Sequence, residues 1–492
     1  MKSFKKIAIA NRGEVAVRII RACQELGIES VLLHSKADIG TRAYRMCDQP
    51  ICIGESAVGD SYLSIEKNID GLLASGAEAV HPGFGFLSEN ADFAQAVLDK
   101  GLEFIGPSPE AIKKMGDKIE AKKIIAQAGV PSVPGYNGED QSIANLKKQA
   151  ESIGYPVIVK AAAGGGGRGM KVIRQSSEAE EMIGAAKREG LSAFGSDIVF
   201  LEKYLDQAKH IEVQIFGDLS GNVVHLFDRE CSVQRRHQKI IEEAMSATLS
   251  SELRDKITQA AVRLAKEVKY VGAGTVEFLV QDDEFYFLEM NTRLQVEHPV
   301  TELVLGVDLV KAQILNQMNR FSAWDQDLLI PRGHAIECRL YAEDPYTVGI
   351  PSTGEIGFQQ WPDGPGRRFD YGYEINDEVT SFYDSMMAKI IVWDETRERA
   401  IKKMLHTLDE TVLFGVKSNI PLLKQILSHP EFVDGSFNTQ FFNNNFSQGA
   451  HDERDQEMIK NIGSICSSQV SEVTVGNQAS VKSPWNTDWS NV

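Results

Sequence analysis

The chain has 492 residues, with 52 Lys and Arg against 69 Asp and Glu, for a net charge of −17. So acidic a protein lacks the broad basic surface that a nucleic-acid backbone requires, and nucleic acid is excluded as a partner. No apolar run is long enough to span a bilayer, and the opening Met1-Lys-Ser-Phe-Lys-Lys6 leads into a strand pattern without a signal-type apolar stretch. Six scattered cysteines show no zinc spacing, so a cytoplasmic setting with no membrane partner is expected.

Residues 1–115 alternate apolar strands, such as 6–10 and 31–34, with helical stretches such as 14–26, the pattern of an open α/β sheet. A second domain is expected over 116–330. Within it Pro131, Pro134 and Gly135 punctuate the chain and open a lid over about 135–205. The apolar strand Tyr155-Pro-Val-Ile-Val-Lys160 runs into Ala161-Ala-Ala-Gly-Gly-Gly-Gly-Arg-Gly-Met170. Lys160 followed by free backbone N–H groups suits phosphates. The loop lacks the Gly-Lys-Ser/Thr ending of a Walker A motif and opens no helix, so it reads as a nucleotide lid that closes over substrate.

Next comes a basic run in which Arg235, Arg236, His237 and Lys239 fall within five residues. On an acidic chain such a cluster fits capture of a small anion. The strand pattern 274–280 carries Glu277 as its lone charge, and the turn letters 281–284 make it one arm of a hairpin that sets Glu277 beside Glu289. In Glu289-Met-Asn-Thr-Arg-Leu-Gln-Val-Glu297, polar groups recur at every second position. An extended segment would aim Glu289, Asn291, Arg293, Gln295 and Glu297 into one cavity. Carboxylate and amide oxygens suit a hard cation such as Mg²⁺, a guanidinium suits an oxyanion, and the remaining carboxylate can act as a base. A solvated edge strand would use the same letters, but the apolar run-up 285–288 places the row at the mouth of a core.

A third domain is expected over 331–446, with later helices such as 396–408. The tail 447–492 has a charged, helix-like piece at 451–465, then Ser, Asn, Gln and Val. It reads as flexible, with Trp485 and Trp489 as candidate anchors for a partner.

Taken together, Ile7-Ala-Ile-Ala-Asn-Arg-Gly-Glu14, His81-Pro-Gly-Phe-Gly-Phe-Leu-Ser-Glu-Asn90, Met115-Gly-Asp-Lys118, the glycine loop, Arg235-Arg-His-Gln-Lys239, 289–299 and Gly333-His-Ala-Ile-Glu-Cys-Arg339 resemble biotin carboxylase, the ATP-grasp component of biotin-dependent carboxylases, over roughly 1–446. The resemblance implies an α/β fold with an N-terminal open sheet, an ATP-grasp lid and body, and a C-terminal mixed α/β domain. It implies that Lys118 and Lys160 contact ATP phosphates, that Gly166 and Gly167 close over them, and that Glu202, Lys203, Tyr204, Leu205, His210, Gln234 and His237 hold the nucleotide. Glu277, Glu289 and Asn291 would bind Mg²⁺ or Mn²⁺. Lys239, Arg293, Gln295 and Val296 would hold bicarbonate, Glu297 would be its base, and Arg339 would steady the biotin enolate. Departures from the family pattern at 161–163, 244–248 and 348–353 remove none of these groups.

The chain contains no Ala-Met-Lys-Met type biotinylation site and no second large domain for carboxyl transfer. The resemblance therefore implies a subunit, homodimeric by family habit, that charges biotin on a separate carrier protein and works with a carboxyltransferase. The final acceptor stays open among acetyl-CoA, propionyl-CoA, pyruvate and 2-oxo acids. Two other readings are an ATP-grasp ligase joining a carboxylate to an amine, and a regulatory relative that only binds ATP.

Overall fold

The computed structural model describes residues 4–162, 170–347 and 349–450, with backbone alone at Lys118, Ile119 and Phe194. The expectations for the Lys118 side chain, Gly166, Gly167 and 451–492 lie outside the described residues. Five short strands, β1 (Lys6–Ile9), β2 (Glu29–Ser35), β3 (Gln49–Gly54), β4 (Ala79–His81) and β5 (Glu103–Phe104), pair in parallel in the order β3-β2-β1-β4-β5. Ile7 and Ile9 share a core with the helix Gly13–Leu26, whereas Ala8 and Ala10 share another with the helices Ile65–Ser75 and Ala91–Asp99. A sheet covered on both faces needs apolar residues at successive positions, which explains why these strands read as runs.

Strand order reverses between β1 and β4, so the loops leaving their carboxyl ends open into one crevice. Those loops are 10–13 and 82–90, the first two segments of the family resemblance. Asn11 ties them together: its Nδ2 donates to the carbonyls of Pro82 and Phe84, each at 2.7 Å.

Four antiparallel strands follow, β6 (Gly135–Tyr136), β7 (Val157–Ala161), β8 (Met170–Ile173) and β9 (Val199–Lys203), ordered β6-β9-β7-β8. The helices Ile143–Ile153 and Ser176–Phe194 back them through a core that includes Leu146, Val157, Ile183 and Leu201.

The largest sheet is antiparallel and eight-stranded. It comprises β10 (Lys209–Gly217), β11 (Val223–Arg235), β12 (Gln238–Ala244), β13 (Gly272–Gln281), β14 (Glu284–Asn291), β15 (His334–Tyr341), β16 (Arg367–Tyr371) and β17 (Met386–Asp394), in the order β14-β13-β10-β11-β12-β15-β17-β16. The expected boundary near 330 falls between β14 and β15 in sequence, yet the β12–β15 ladder carries one sheet across it.

Register decides which side chains meet on this sheet. Glu289, Glu277, Glu212 and Arg229 stand opposite one another on successive strands. Farther along, Glu242 faces Glu337, and Arg339, Lys389 and Asp370 form a second row. The helix His298–Leu305 covers part of this face, with Val300 and Val304 packed on Ala244, Ala335 and Ile391. On the opposite face Arg397, which opens the helix Arg397–Glu410, reaches Glu243. No described helix is long and apolar enough to cross a membrane.

Candidate active site

Lys239 occupies the centre of the charged face. Its Nζ donates to Glu212 Oε2 at 2.5 Å, to Glu277 Oε1 at 2.8 Å and to Glu297 Oε1 at 2.7 Å, and all three carboxylates are buried. Burial opposes the Lys239 charge, but the three acids outweigh it and raise the ammonium well above its ordinary value. One cation cannot neutralise three anions, so each acid has further partners. Glu212 accepts from Arg229, which is itself wholly buried and also donates to Gln214 Oε1, Thr301 Oγ1 and Thr275 Oγ1 at 2.7 to 3.1 Å. Glu277 accepts from Asn291 Nδ2 at 2.8 Å and Gln295 Nε2 at 3.1 Å, and His210 Nε2 lies 2.7 Å from its other oxygen.

Glu297 bridges Lys239 and Arg339. Its Oε2 accepts from Arg339 Nη2 at 2.9 Å, while Arg339 Nε donates to Glu242 Oε1 at 2.5 Å. Burial would raise the Glu297 carboxyl, but Lys239, Arg339 and Arg229 override it and hold the group well below the usual range. The behaviour of Glu242 is the reverse. Burial outweighs Arg339 there, the Glu297 charge adds to it, and the carboxyl is pushed up to about 7.

Two bulges bring these groups together. Opposite Glu277 and Phe278 the β14 partners are Glu289 and Phe287, so Leu288 is an extra residue, and Glu289 lands on the Glu277 face. The register slips again between β11 and β12, where Val233 faces Ile241 but Gln234 faces Lys239. That slip puts Lys239 and Glu242, three residues apart, on one face. The β13–β14 hairpin turns through Asp282 and Asp283, both at positive φ, as a tight two-residue connection requires.

The extended row expected over 289–297 is corrected by the structure. β14 stops at Asn291, and the chain then turns into the helix His298–Leu305, with Glu297 at its N-cap and Pro299 in its first turn. Proline fixes its own φ and favours a helix start, so the strand cannot continue through it. Asn291, Gln295 and Glu297 still converge on Glu277 and Lys239, but they do so through a folded turn. Arg293 is displaced to one side: its Nε donates to Glu89 Oε2 at 2.8 Å, Nη1 to Gln295 Oε1 at 2.8 Å and Nη2 to Asn291 Oδ1 at 3.0 Å.

The basic run is also corrected, because its members part company. Arg235 pairs with Glu343 at 2.5 Å, Arg236 and His237 form the exposed positive-φ tip of the β11–β12 hairpin, and only Lys239 enters the buried site. Of the other expected nucleotide residues, Lys160 pairs with Glu202 at 2.5 Å. Lys203 Nζ donates to the carbonyls of Gly154 and Tyr155. Tyr204 and Leu205 form the link from β9 to β10, and the Tyr204 hydroxyl accepts from Gln440 Nε2 at 3.0 Å. Gln234 Nε2 lies 2.5 Å from His210 Nδ1, which joins those two to the Glu277 side of the site.

The residues expected to hold a cation lie at the open edge of the sheet. Glu277 and Glu289 face each other with Asn291 alongside, and Glu289 is reachable by solvent at the open edge. Partial enclosure and the Glu277 charge push the Glu289 carboxyl up, whereas Lys239 and His210 hold Glu277 down against its burial. That donor set suits a hard divalent ion.

Sequence reasoning missed Glu212, Arg229, Glu242, Glu337, Lys389 and Glu89. A signal existed for some of them. His210, Glu212 and Gln214 alternate with Ile211, Val213 and Ile215 along β10, as Glu337 and Arg339 alternate with Ile336, Cys338 and Leu340 along β15. A polar row facing inward on an otherwise apolar strand marks a site as surely as an acidic cluster does.

Three family models match in succession: the biotin carboxylase N-terminal domain over residues 3–112, the carbamoyl-phosphate synthase L chain ATP-binding domain over 117–317, and the biotin carboxylase C-terminal domain over 337–444. A biotin carboxylase of Haemophilus influenzae is 47% identical over 439 residues, spanning 89% of this chain and 98% of its own. The mitochondrial methylcrotonoyl-CoA carboxylase subunit alpha of Dictyostelium discoideum is 47% identical over 443 residues, and there the match spans 90% of this chain but only 63% of the relative. Among solved structures, the biotin carboxylase domain dimer of Hydrogenobacter thermophilus 2-oxoglutarate carboxylase, in complex with MgADP, ADP and bicarbonate, superposes with a TM-score of 0.85 at 42% identity, covering 92% of this chain and all of that one. With its three domain matches in order and relatives of near-equal length at this identity, the chain belongs to the biotin carboxylase family.

Proposed function

We propose that this chain carboxylates biotin N1 on a separate carrier protein, using ATP and bicarbonate, as the first half-reaction of a multi-subunit biotin-dependent carboxylase. The observation that carries the reading is the buried chain Lys239–Glu297–Arg339, which joins an anion-binding cation, a base and a second cation within hydrogen-bond distance. Bicarbonate binds against Lys239, Arg293, Gln295 and the Val296 N–H. Bicarbonate competes with the carboxylates for the Lys239 ammonium, so Arg293 and the neutral Gln295 and Val296 N–H donors share in holding it. Glu297 then removes the bicarbonate proton, and the oxygen attacks the γ-phosphorus of ATP, with ADP leaving as carboxyphosphate forms.

ATP lies between the lid and the eight-stranded sheet, held by Lys118, Lys160, Gly166, Gly167, 202–205, His210, Gln234 and His237. Glu277, Glu289 and Asn291 hold Mg²⁺ or Mn²⁺, which supplies charge neutralisation on the phosphates when bound. Carboxyphosphate breaks into CO₂ and phosphate, the phosphate takes the biotin N1 proton, and Arg339 stabilises the negative charge left on the ureido group. N1 then attacks CO₂ at short range. Lid closure through Gly164 to Gly169, which lie outside the described residues, would keep water from carboxyphosphate.

The domain divisions near 115 and 330, a homodimer, a cytoplasmic setting, and partnership with a biotin carboxyl carrier protein and a carboxyltransferase belong to the same reading. Family membership supports them, as does, for the homodimer, the dimer of the Hydrogenobacter relative. The test is ADP release by the purified chain with MgATP, with bicarbonate present or absent and with free biotin present or absent. Bicarbonate-dependent, biotin-stimulated release is expected. Bicarbonate-independent turnover with an amine would favour the amine ligase instead.

A further inference from the structure

Lys389 lies on β17 with no exposed surface, beneath the turn that carries Gln295 and Glu297. Its Nζ donates to the Val296 carbonyl at 2.9 Å and lies 3.1 Å from Glu14 Oε2 and 3.7 Å from Asp370 Oδ2. These partners come from three parts of the molecule: the turn after β14, the start of the helix Gly13–Leu26, and β16. A buried ion pair is often matched in stability by apolar side chains of similar size, so stability alone does not account for the charge. We propose that Lys389 is a positioning residue for the carboxylation reaction, holding the Val296 carbonyl and so fixing the turn on which Gln295 meets bicarbonate and Glu297 takes its proton. The assignment rests on the reading of Glu297 as the base.

The turn has a second clamp. His298 Nδ1 lies 2.7 Å from the Gln295 carbonyl, and burial holds the imidazole neutral, so Nδ1–H is the donor. Two consecutive residues, Gln295 and Val296, are therefore pinned by their carbonyls immediately before Glu297. Glu14 is seated against Lys389 by close backbone approach: a Cβ on Gly372 would come within 2.8 Å of the main chain at Gly13 and Glu14.

Hydrogen bonding around Lys389 is lopsided. Among the described residues neither oxygen of Glu14 nor of Glu337 accepts a directed hydrogen bond, although the Glu14 contact is an ion pair. Burial outweighs Lys389 at both, pushing Glu14 up to about 7 and Glu337 well above the usual range. The ammonium thus gives a directed bond to the Val296 carbonyl beside its ion pair with Glu14, while Glu337 receives none.

Lys389→Met alone would leave Glu14 buried without a counter-charge, so the test pairs it with Glu14→Gln in the full chain. Steady-state ADP release is measured with MgATP, bicarbonate and free biotin, alongside the melting temperature. A displacement of about 1 Å at a catalytic group can cost about 100-fold, so kcat for bicarbonate-dependent release should fall by about tenfold or more. The bicarbonate KM should rise, while the ATP KM and the melting temperature stay near those of the wild type. Unchanged kcat, or equal losses toward ATP and bicarbonate, would overturn the proposal. If the double variant does not fold, Lys389→Gln paired with Glu14→Gln decides, because the shorter side chain cannot reach the Val296 carbonyl: the same split supports the role, and unaltered kinetics overturn it. A wild-type chain with no bicarbonate-dependent release would overturn the functional reading itself, and the role of Lys389 with it; wild-type activity matched by the variants would overturn the role of Lys389 alone.

Discussion

Glu242 and Glu243 are neighbours on β12, both buried, and they point to opposite faces of the same sheet. Glu243 accepts from Arg397 through both oxygens and lies 2.6 Å from His334 Nε2; these partners overcome burial and hold its carboxyl at about 2. Glu242 meets Arg339 through one oxygen, has no partner for the other among the described residues, and is pushed up to about 7. Glu243 is fully paired on the back face. On the front face Lys239 is divided among three acids and Glu242 keeps an oxygen without a partner among the described residues, and this separates a structural charge from a working one.

Glu297→Gln should break the front face most severely. Loss of a general base costs about 10² to 10⁴ in rate, so bicarbonate-dependent ADP release should fall by that order while calorimetry still records ATP binding. Wild-type turnover in the variant would take Glu297 out of the base role. Arg229→Met tests whether the front face also depends on buried support. Leaving Glu212 without this partner should cost about 3–5 kcal/mol in urea unfolding. A loss under about 1 kcal/mol would show that Lys239 suffices to hold Glu212.

Glu243→Gln probes the back face through pH. The folded carboxyl sits at about 2, below its ordinary 4.5, so its ionised form stabilises the fold above about 4.5, and that contribution fades as pH falls toward 2. The stability gap between wild type and variant should therefore narrow across that window, as read from urea midpoints at stepped pH. A gap that is constant with pH would mean that Glu243 is not held by His334 and Arg397. His237→Ala should have the smallest effect on the fold, within about 0.5 kcal/mol by thermal melting, because the residue stands at an exposed hairpin tip. Its ATP KM decides the rest: a rise would keep His237 in the nucleotide site, and no change would remove it.

Much of this was legible from local letters. Apolar runs alternating with helical stretches gave the parallel sheet, because a sheet buried on both faces leaves that pattern in the chain. The Asp282-Asp283 turn and the isolated Glu277 announced a hairpin that sets Glu277 opposite Glu289. The period-two row 289–297 pointed to the right groups by an incomplete route, since only Glu289 and Asn291 lie on the strand, while Gln295 and Glu297 reach the site from the turn that follows it. The basic run misled in the same way, because closeness in sequence across a tight turn does not place side chains in one cavity.

The amino-acid sequence by itself determined the family, the fold class and part of the site, namely Glu277, Asn291, Gln295, Glu297, Lys239 and Arg339, since these depend on residue type and short-range spacing. Only the tertiary structure decided which of the many buried charges face one another. Glu212 meets Arg229 across neighbouring strands, Glu242 meets Glu337 across strands distant in the chain, and Lys389 reaches the Val296 carbonyl on a turn. The physical reason is that cross-strand register and single-residue bulges choose the face each side chain occupies, and a slip of one position would send the whole row to the other side of the sheet.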